Sequence, residues 1–502
     1  MSKVEEYSIA ALHRDQAQAA IEFEDHWYNW GALRRVADQM NAAIDASGAT
    51  IDAPISLIPR NRPSAVAALI GLLSRSRTIR MIYAFQSPVA IARNIERLKP
   101  AVLVASIEDF SEEVRAELRR LGIAAVALGD MDAGPLAGFE RSTIDAESIP
   151  TPQIELLTSG TTGPPKQFAV THDILDGHLT GGVQIAAMAA DDGQEAPPLF
   201  LCKPIGNIAG LYSTIPTLLR GQCAVLVDRF TLENWRDYVK RYRPERTGMP
   251  ATGVQMILDA KVPREELSSL RSLSTGASPL DPSVQRRFED EYGIPIMLSY
   301  GATEFAGPVA TMTPALAEQW GRQKLGSVGR AMPGMQLRVV DPATSEILPP
   351  GQEGLLEVLA PRVGNHWIRT SDVAVIDADE FLFIRGRADG AIMRGGFKIL
   401  PETVERALML HESISSAGVV GVPHKRLGQV PAAAIQLRPG TAAPTIAELE
   451  THLRNHLLAT HLPVHWRFVT ALPMTATAKV DRPALRKLFE GEAQPLPAAS
   501  HV

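Results

Sequence analysis

The sequence predicts an α/β protein: a large N-terminal unit of mostly parallel sheets with flanking helices, followed by a small α+β unit. Three observations carry this. Short apolar runs alternate with helix-patterned stretches through the first 330 residues, as strands joined by helical crossovers do. From about residue 330 the apolar runs are separated instead by Pro/Gly turns, the habit of antiparallel strands. After Gly386 a new helix-and-strand pattern begins. A boundary at 386–390 therefore divides the chain into 1–386 and 387–502, and the second piece has the size of a small domain.

The elements follow in order. Asn29 is placed to cap a helix starting near Trp30, with Leu33, Val36, Ala37 and Met40 at helical spacing. Ile55-Ser56-Leu57-Ile58 reads as a buried strand and 65–73 as the helix after it. Residues 101–105, 124–128 and 154–157 are further short apolar strands. Residues 337–341 and 354–358 read as antiparallel strands, with another at 381–384 after the turn at 377–379. Beyond the boundary come a helix at 401–410 and strands at 417–422 and 433–437. The Pro- and Ala-rich tail after Glu492 reads as disordered.

Composition sets bounds. The 502 residues are 45% apolar and 21% charged, enough for a large core. A net charge of −6 argues against a general nucleic-acid or anionic-membrane surface. The N-terminus lacks the apolar core of a signal peptide, and no apolar run approaches the ~18–20 residues of a membrane span. Cys202 and Cys223 stand in apolar company without metal-ligand spacing. They read as buried thiols of a reducing cytosol, not as a disulfide, so a cytoplasmic location is expected.

One stretch outweighs the rest: Thr158-Ser159-Gly160-Thr161-Thr162-Gly163-Pro164-Pro165-Lys166. Glycines let several N–H groups converge on one anion, hydroxyls add donors, and the lysine brings a point charge. This is a loop built to hold a polyphosphate, without the spacing of a Walker loop. Five further clusters follow: Ser274-Thr275-Gly276-Ala277-Ser278, Ser299-Tyr300-Gly301-Ala302-Thr303-Glu304, Arg369-Thr370-Ser371-Asp372, a run from Gly386-Arg387-Ala388-Asp389-Gly390 to Arg394-Gly395-Gly396-Phe397-Lys398-Ile399, and Pro473 to Arg482 around Lys479. Each alone reads as a turn. Their order and spacing are specific.

In those motifs the sequence resembles the adenylate-forming superfamily, and most of all its free-standing acyl- and aryl-CoA synthetases, over residues 20–490. The resemblance implies a fold with a mobile C-terminal lid. It also implies activation of a carboxylic acid by ATP, with Mg²⁺ and coenzyme A. By that resemblance Thr158, Ser159, Gly160, Thr161, Thr162, Gly163 and Lys166 would wrap the phosphates. Tyr300, Gly301, Gly276, Ala277 and Ser278 would enclose the adenine, and Asp372, supported by Arg387, would hold the ribose. Thr303 would contact the α-phosphate and Glu304 the Mg²⁺. Lys479 would bridge the acyl carboxylate and the α-phosphate. Asp389 matches the hinge, next to a permissive Gly390, and Gly395, Gly396 and Phe397 the coenzyme A passage.

Departures matter as well. Ala478 stands where the family has glycine, and Gly390 replaces a second hinge-region acid. Asn207 replaces the aromatic or His that gates the acyl pocket, so it either shapes that pocket or satisfies a turn. The other mapped pocket positions, Ile208, Ala209, Met249, Ala306 and Gly307, are small or apolar, and no acid stands there to hold an ammonium. An uncharged aryl or alkyl acid is expected. Arg75, Arg77 and Arg80 read as a solvated basic face rather than a phosphate or subunit contact.

The expected activity is an ATP-dependent acid–CoA ligase. A homodimer is compatible with it, while nucleic-acid and membrane partners are not expected. A ligase that loads a carrier-protein phosphopantetheine or forms an amide is the alternative. A non-catalytic nucleotide-binding protein is the third reading, and it leaves Lys166, Glu304, Asp372, Arg387 and Lys479 unexplained together.

Overall fold

The structure is a computed structural model that describes residues 1–158, 166–180, 196–276, 279–388, 390–394, 397–424, 427–457, 459–475 and 479–490, with Thr158, Lys166, Thr180, Phe397 and Lys398 described by backbone alone. The tail after Glu492, read as disordered, lies outside those residues.

A seven-stranded sheet forms the first layer, in the order 133–135, 124–128, 102–106, 55–58, 79–81, 153–158, 166–171. Its inner strands are parallel, and the two edge strands, Ala133–Pro135 and Lys166–Thr171, are antiparallel. Ile55–Ile58 and Val102–Ser106 are buried at every position, as strands covered on both faces must be. Asn29 caps the helix Trp30–Ala46 as its sequence predicts, accepting from Ala32 N at 2.9 Å. That helix packs on Pro63–Leu73, which is buried throughout and opens on a proline, where the missing N–H costs nothing.

A four-stranded sheet carries Ala19–Phe23, and a five-stranded sheet runs Arg246–Gly248, Ser272–Gly276, Ile296–Ala302, Gly307–Thr311, Arg330–Ala331. The first three strands of the latter are parallel. Past residue 330 the sheet type changes as expected: Gln336–Val340, Glu353–Leu359, Trp367–Ile376 and Leu382–Arg387 form an antiparallel sheet. The last sheet is built from Ile392–Arg394, Phe397–Ile399, Ile414–His424, Gly428–Leu437 and His465–Val469, with helices Pro401–Met409 and Ile446–Arg454. The buried clusters up to Ile384 and those from Ile392 onward share no residue. Among the described residues no helix is long and apolar enough to cross a membrane.

In the arginine cluster Arg75 is exposed, as its reading as a solvated face expects, but Arg77 and Arg80 depart from it. Arg77 and Arg80 are 3% and 6% exposed. Arg80 is bonded to Glu155 at 2.8 Å, to Glu147 at 2.9 Å and to the Leu98 carbonyl at 2.5 Å. Arg77 reaches Asp45 at 3.3 Å and the Thr50 carbonyl. The strand Ile79–Met81 lies inside the sheet, so Arg80 is carried inward with it, and the neighbouring strand supplies Glu155 as its register partner. The cysteines are both reduced, Cys202 buried and Cys223 only half-buried, its thiol donating to the Ala19 carbonyl at 3.3 Å.

Breaking a buried pair strands a charge. Arg80→Ala is expected to lower the stability of the N-terminal unit by about 3 kcal/mol. The double variant Arg80→Met/Glu155→Leu should recover much of that loss. Urea unfolding followed by tryptophan fluorescence measures both. A single-mutant loss below ~1 kcal/mol, the scale of solvent-exposed pairs, would show that the pair is not desolvated.

Candidate active site

Parallel strands in α/β sheets present ligands at their carboxyl ends. Gly276 ends one such strand, and Tyr300 and Gly301 lie near the end of its neighbour, with Gly276 opposite Ser299. A Cβ on Gly276 would stand 2.5 Å from Ser299 Oγ, so glycine is required for the two strands to end this close. Next, Thr303–Phe305 makes one turn of 3-10 helix. Phe305, 2% exposed, anchors it in the core, and Glu304 is left exposed on the same turn.

Tyr300 Oη donates a short hydrogen bond to Asp372 Oδ2. Burial and the Asp372 charge both raise the tyrosine pKa, so the phenol remains a donor. Asp372 lies on Trp367–Ile376 opposite Arg387 of Leu382–Arg387. Arg387 Nη1 is 3.8 Å from Asp372 Oδ1, and Nη2 donates to Ser371 Oγ at 2.5 Å. Thr370 Oγ1 accepts the Asp372 N–H at 3.0 Å and donates to the Leu356 carbonyl at 2.8 Å. An ionised carboxylate offers about four acceptor positions. Tyr300 takes one, which leaves room for a pair of hydroxyls.

The phosphate loop is the connection of a β-hairpin. Gln153–Thr158 leads in and Lys166–Thr171 leads out, with Thr158 opposite Lys166. Residues Ser159, Gly160, Thr161, Thr162 and Gly163 lie outside the described residues, as do Ala277, Ser278, Asp389, Gly395 and Gly396, and Phe397 is described by backbone alone.

Lys479 sits on a small hairpin. Thr475 N donates to its carbonyl at 2.6 Å, its own N–H donates to Thr475 Oγ1 at 3.2 Å, and Met474 pairs with Val480. Asp481 then caps the helix Arg482–Lys487. Arg482 holds the base of this hairpin through Glu402 at 2.9 Å, Glu405 at 3.1 Å and the Val419 carbonyl at 2.5 Å. Lys479 is exposed by area, yet protein crowds its ammonium enough to press its pKa below the ordinary lysine value. The Arg387 charge pushes the same way, and Asp372 and Glu304 pull back. Residues more than 70 positions apart in the chain thus act on one amine.

Of the acyl positions, Ile208 and Ala209 open the helix Ile208–Leu219, and Asn207 is its N-cap, accepting from Gly210 N at 2.8 Å. Ala306 and Gly307 form the turn after Thr303–Phe305, both at positive φ, and Met249 is buried beside the helix Ala251–Asp259. Sequence reasoning missed three residues here. Tyr212 lies one turn beyond Ile208, His178 stacks on it with centroids 3.8 Å apart, and Arg362 donates to the carbonyls of Phe305 and Pro308. Helical spacing from Ile208 was the only available signal, and it pointed to Tyr212 alone.

Comparisons with known proteins show the family and the fold. The family described as AMP-binding enzyme matches residues 9–365, and its C-terminal domain matches 403–479. The chain is 28% identical to 4-coumarate–CoA ligase-like 6 of Oryza sativa subsp. japonica, over 78% of this chain and 70% of that one. It is 26% identical to the indoleacetate–CoA ligase of Aromatoleum aromaticum, over 94% and 96%. In fold it is similar to ATP-bound MatB from Rhodopseudomonas palustris, with a TM-score of 0.82 at 22% identity over 98% and 99% of the two chains. The family match spans most of the chain, through the sheets that carry Tyr300 and Glu304: the protein is a member of the AMP-binding enzymes.

Proposed function

We propose that the protein is an ATP-dependent carboxylic acid–CoA ligase. The observation that carries this is the Tyr300–Asp372–Arg387 arrangement where the strands end, with the charges of Asp372, Arg387 and Glu304 felt at Lys479. Asp372, with Tyr300 and Arg387 fixing its carboxylate, holds the ribose. The acid's carboxylate oxygen attacks the α-phosphorus of ATP, a P–O bond forms, the bond to the β-phosphate breaks, and pyrophosphate leaves. Lys479 faces the negative charge that develops between carboxylate and α-phosphate, where a positioned cation is worth most. Coenzyme A thiol then attacks the acyl carbon, the thioester forms, and AMP leaves.

Glu304 fits a hard cation. It is an exposed carboxylate that accepts no hydrogen bond among the described residues, on the turn next to Thr303. No group of three or more acidic, His or Cys side chains stands ready for a metal among those residues. That is the pattern for Mg²⁺, which is held by one or two carboxylates together with substrate phosphates. Glu304 would hold the ion, and the ion would neutralise phosphate charge there. The unit from 387 onward turns at the hinge near Asp389, so that Gly395, Gly396 and Phe397 guide the coenzyme A arm. Asn207, Ile208, Ala209, Met249, Ala306 and Gly307 enclose the acid.

Lys479→Ala is expected to slow acyl-adenylate formation by ~10²-fold or more, on the scale of losing one transition-state donor. Given preformed acyl-adenylate and coenzyme A, the variant should still make thioester. An equal loss in both half-reactions would refute the two-conformation reading. The pH profile carries a sign. Lys479 acts when protonated, and its pKa lies below the ordinary lysine value. The kcat/KM for adenylation should therefore fall as pH rises through that lowered value, earlier than a solvated lysine near 10.4 would allow. Lys479→Arg should abolish that limb, because guanidinium does not titrate there.

Glu304→Gln should weaken Mg²⁺-dependent pyrophosphate release, and excess Mg²⁺ should partly restore it. Titration of Mg²⁺ at fixed ATP decides. An unchanged midpoint removes Glu304 from the metal site.

A further inference from the structure

Resting on the acid-activating reading above, we propose that Tyr212 is a specificity-determining residue. It selects acids that carry an oxygen hydrogen-bond acceptor at the end remote from the reacting carboxylate.

Tyr212 is 7% exposed, and its hydroxyl is buried without a hydrogen-bond partner among the described residues. A buried hydroxyl left unmade is costly, and tyrosine hydroxyls normally find a partner when buried. Its place is informative. Three and four residues beyond Ala209 and Ile208, it shares their face of the helix. Its ring lies against Gly307, where a Cβ would stand 2.6 Å from ring carbon Cε2. Gly307 adopts φ +113°, open to glycine, so the turn and the ring are fitted to each other.

The surroundings have one polarity. Arg362 donates to the carbonyls of Phe305 at 2.6 Å and Pro308 at 2.5 Å, the residues on either side of Ala306 and Gly307. No carboxylate pairs with it among the described residues, and its charge is felt at both Tyr212 and His178. The His178 ring, stacked on Tyr212 at an interplanar angle of 25°, is pushed down to about 4 by burial and then by the Arg362 and Arg220 charges. It is therefore neutral at pH 7. A buried donor, a half-buried cation whose charge reaches it and a neutral imidazole together favour an electron-rich oxygen and repel an ammonium. The flanks of this site remain the small, apolar Ile208, Ala209 and Ala306. The body of the substrate stays apolar and its far end carries the acceptor.

The test measures kcat/KM for pyrophosphate release by the full-length protein. Acids of equal length ending in a methyl ketone, a carboxylate or an isopropyl group are compared, in one aryl and one alkyl series. Wild type should favour ketone or carboxylate ends over isopropyl by ~10-fold or more, as expected when a site built to hydrogen-bond meets an analogue that cannot. Tyr212→Phe keeps the ring against Gly307 and should erase that preference while the KM for ATP and the melting temperature hold. A carboxylate preferred over a ketone would mark the Arg362 charge in recognition, and equal use would mark the hydrogen bond alone. Either outcome supports the proposal. Wild type using the isopropyl acid as well as the ketone acid overturns it, whatever the variant does. So does a Tyr212→Phe variant that loses all acids in proportion, which would make the tyrosine a prop for the turn. Failure of wild type to release pyrophosphate with any acid would instead sink the acid-activating reading itself.

Discussion

The hydrogen bond from Tyr300 to Asp372 ties the carboxyl end of a parallel strand to the middle of an antiparallel sheet. On the far side of Asp372 stands Arg387, the last residue of that sheet before the chain leaves for its C-terminal unit. Ala388 N is still held by the Ser371 carbonyl at 2.7 Å. One carboxylate is thus the point where the parallel strand, the antiparallel sheet and the chain leading into the C-terminal unit meet. Its orientation is fixed by a buried phenol that cannot easily ionise and by a threonine hydroxyl below it. The remaining site depends on that carboxylate being in place, because Lys479 and Arg387 are balanced against it.

That arrangement also sets the charge balance at Lys479. Burial and then the Arg387 charge lower the Lys479 pKa, with Asp372 and Glu304 as partial compensation. A nucleotide with several negative charges adds what this cluster lacks. The approach of the lysine is therefore more favourable with phosphate present than without it, and differential affinity of this kind is what lets a ligand bias a conformational equilibrium.

The fold was largely legible because it is written in local patterns. Asn29 before Trp30 names a helix start, and the four apolar residues from Ile55 name a buried strand. The change to antiparallel pairing after residue 330 follows from turn chemistry. Arg80 was not legible, since a strand of three residues gives too short a pattern to show that it runs inside a sheet. Its partners come from residues 98, 147 and 155. Asn207 was half legible: of its two readings, the structure shows the one that satisfies backbone, since the side chain accepts from Gly210 and caps the helix Ile208–Leu219. The two readings are compatible, because an Asn that starts a helix also sets the direction of Ile208 and Ala209. His178, Tyr212 and Arg362 were hidden for the same reason as Arg80, being brought together from three segments by tertiary packing alone.

Precision at Lys479 needs a rigid base, and the structure shows where it lies. The hairpin around Lys479 is closed by the Met474–Val480 bridge and by two hydrogen bonds between Thr475 and Lys479. Its stiffness comes from the residue after it. Arg482 spans Glu402 and Glu405 on the helix Pro401–Met409 and the Val419 carbonyl on the edge strand Ile414–His424 of the small sheet. Glu405 also accepts the Val419 N–H at 2.8 Å, which closes a ring of contacts around one guanidinium. Two acids around one arginine leave an excess of negative charge in a largely buried place, and burial accordingly raises the Glu405 pKa even beside Arg482. Such a cluster is weak evidence for stability but strong geometry, since a planar fork accepts few arrangements. Lys479 thus stands three residues before an arginine whose three partners fix the start of the helix Arg482–Lys487 against the small sheet.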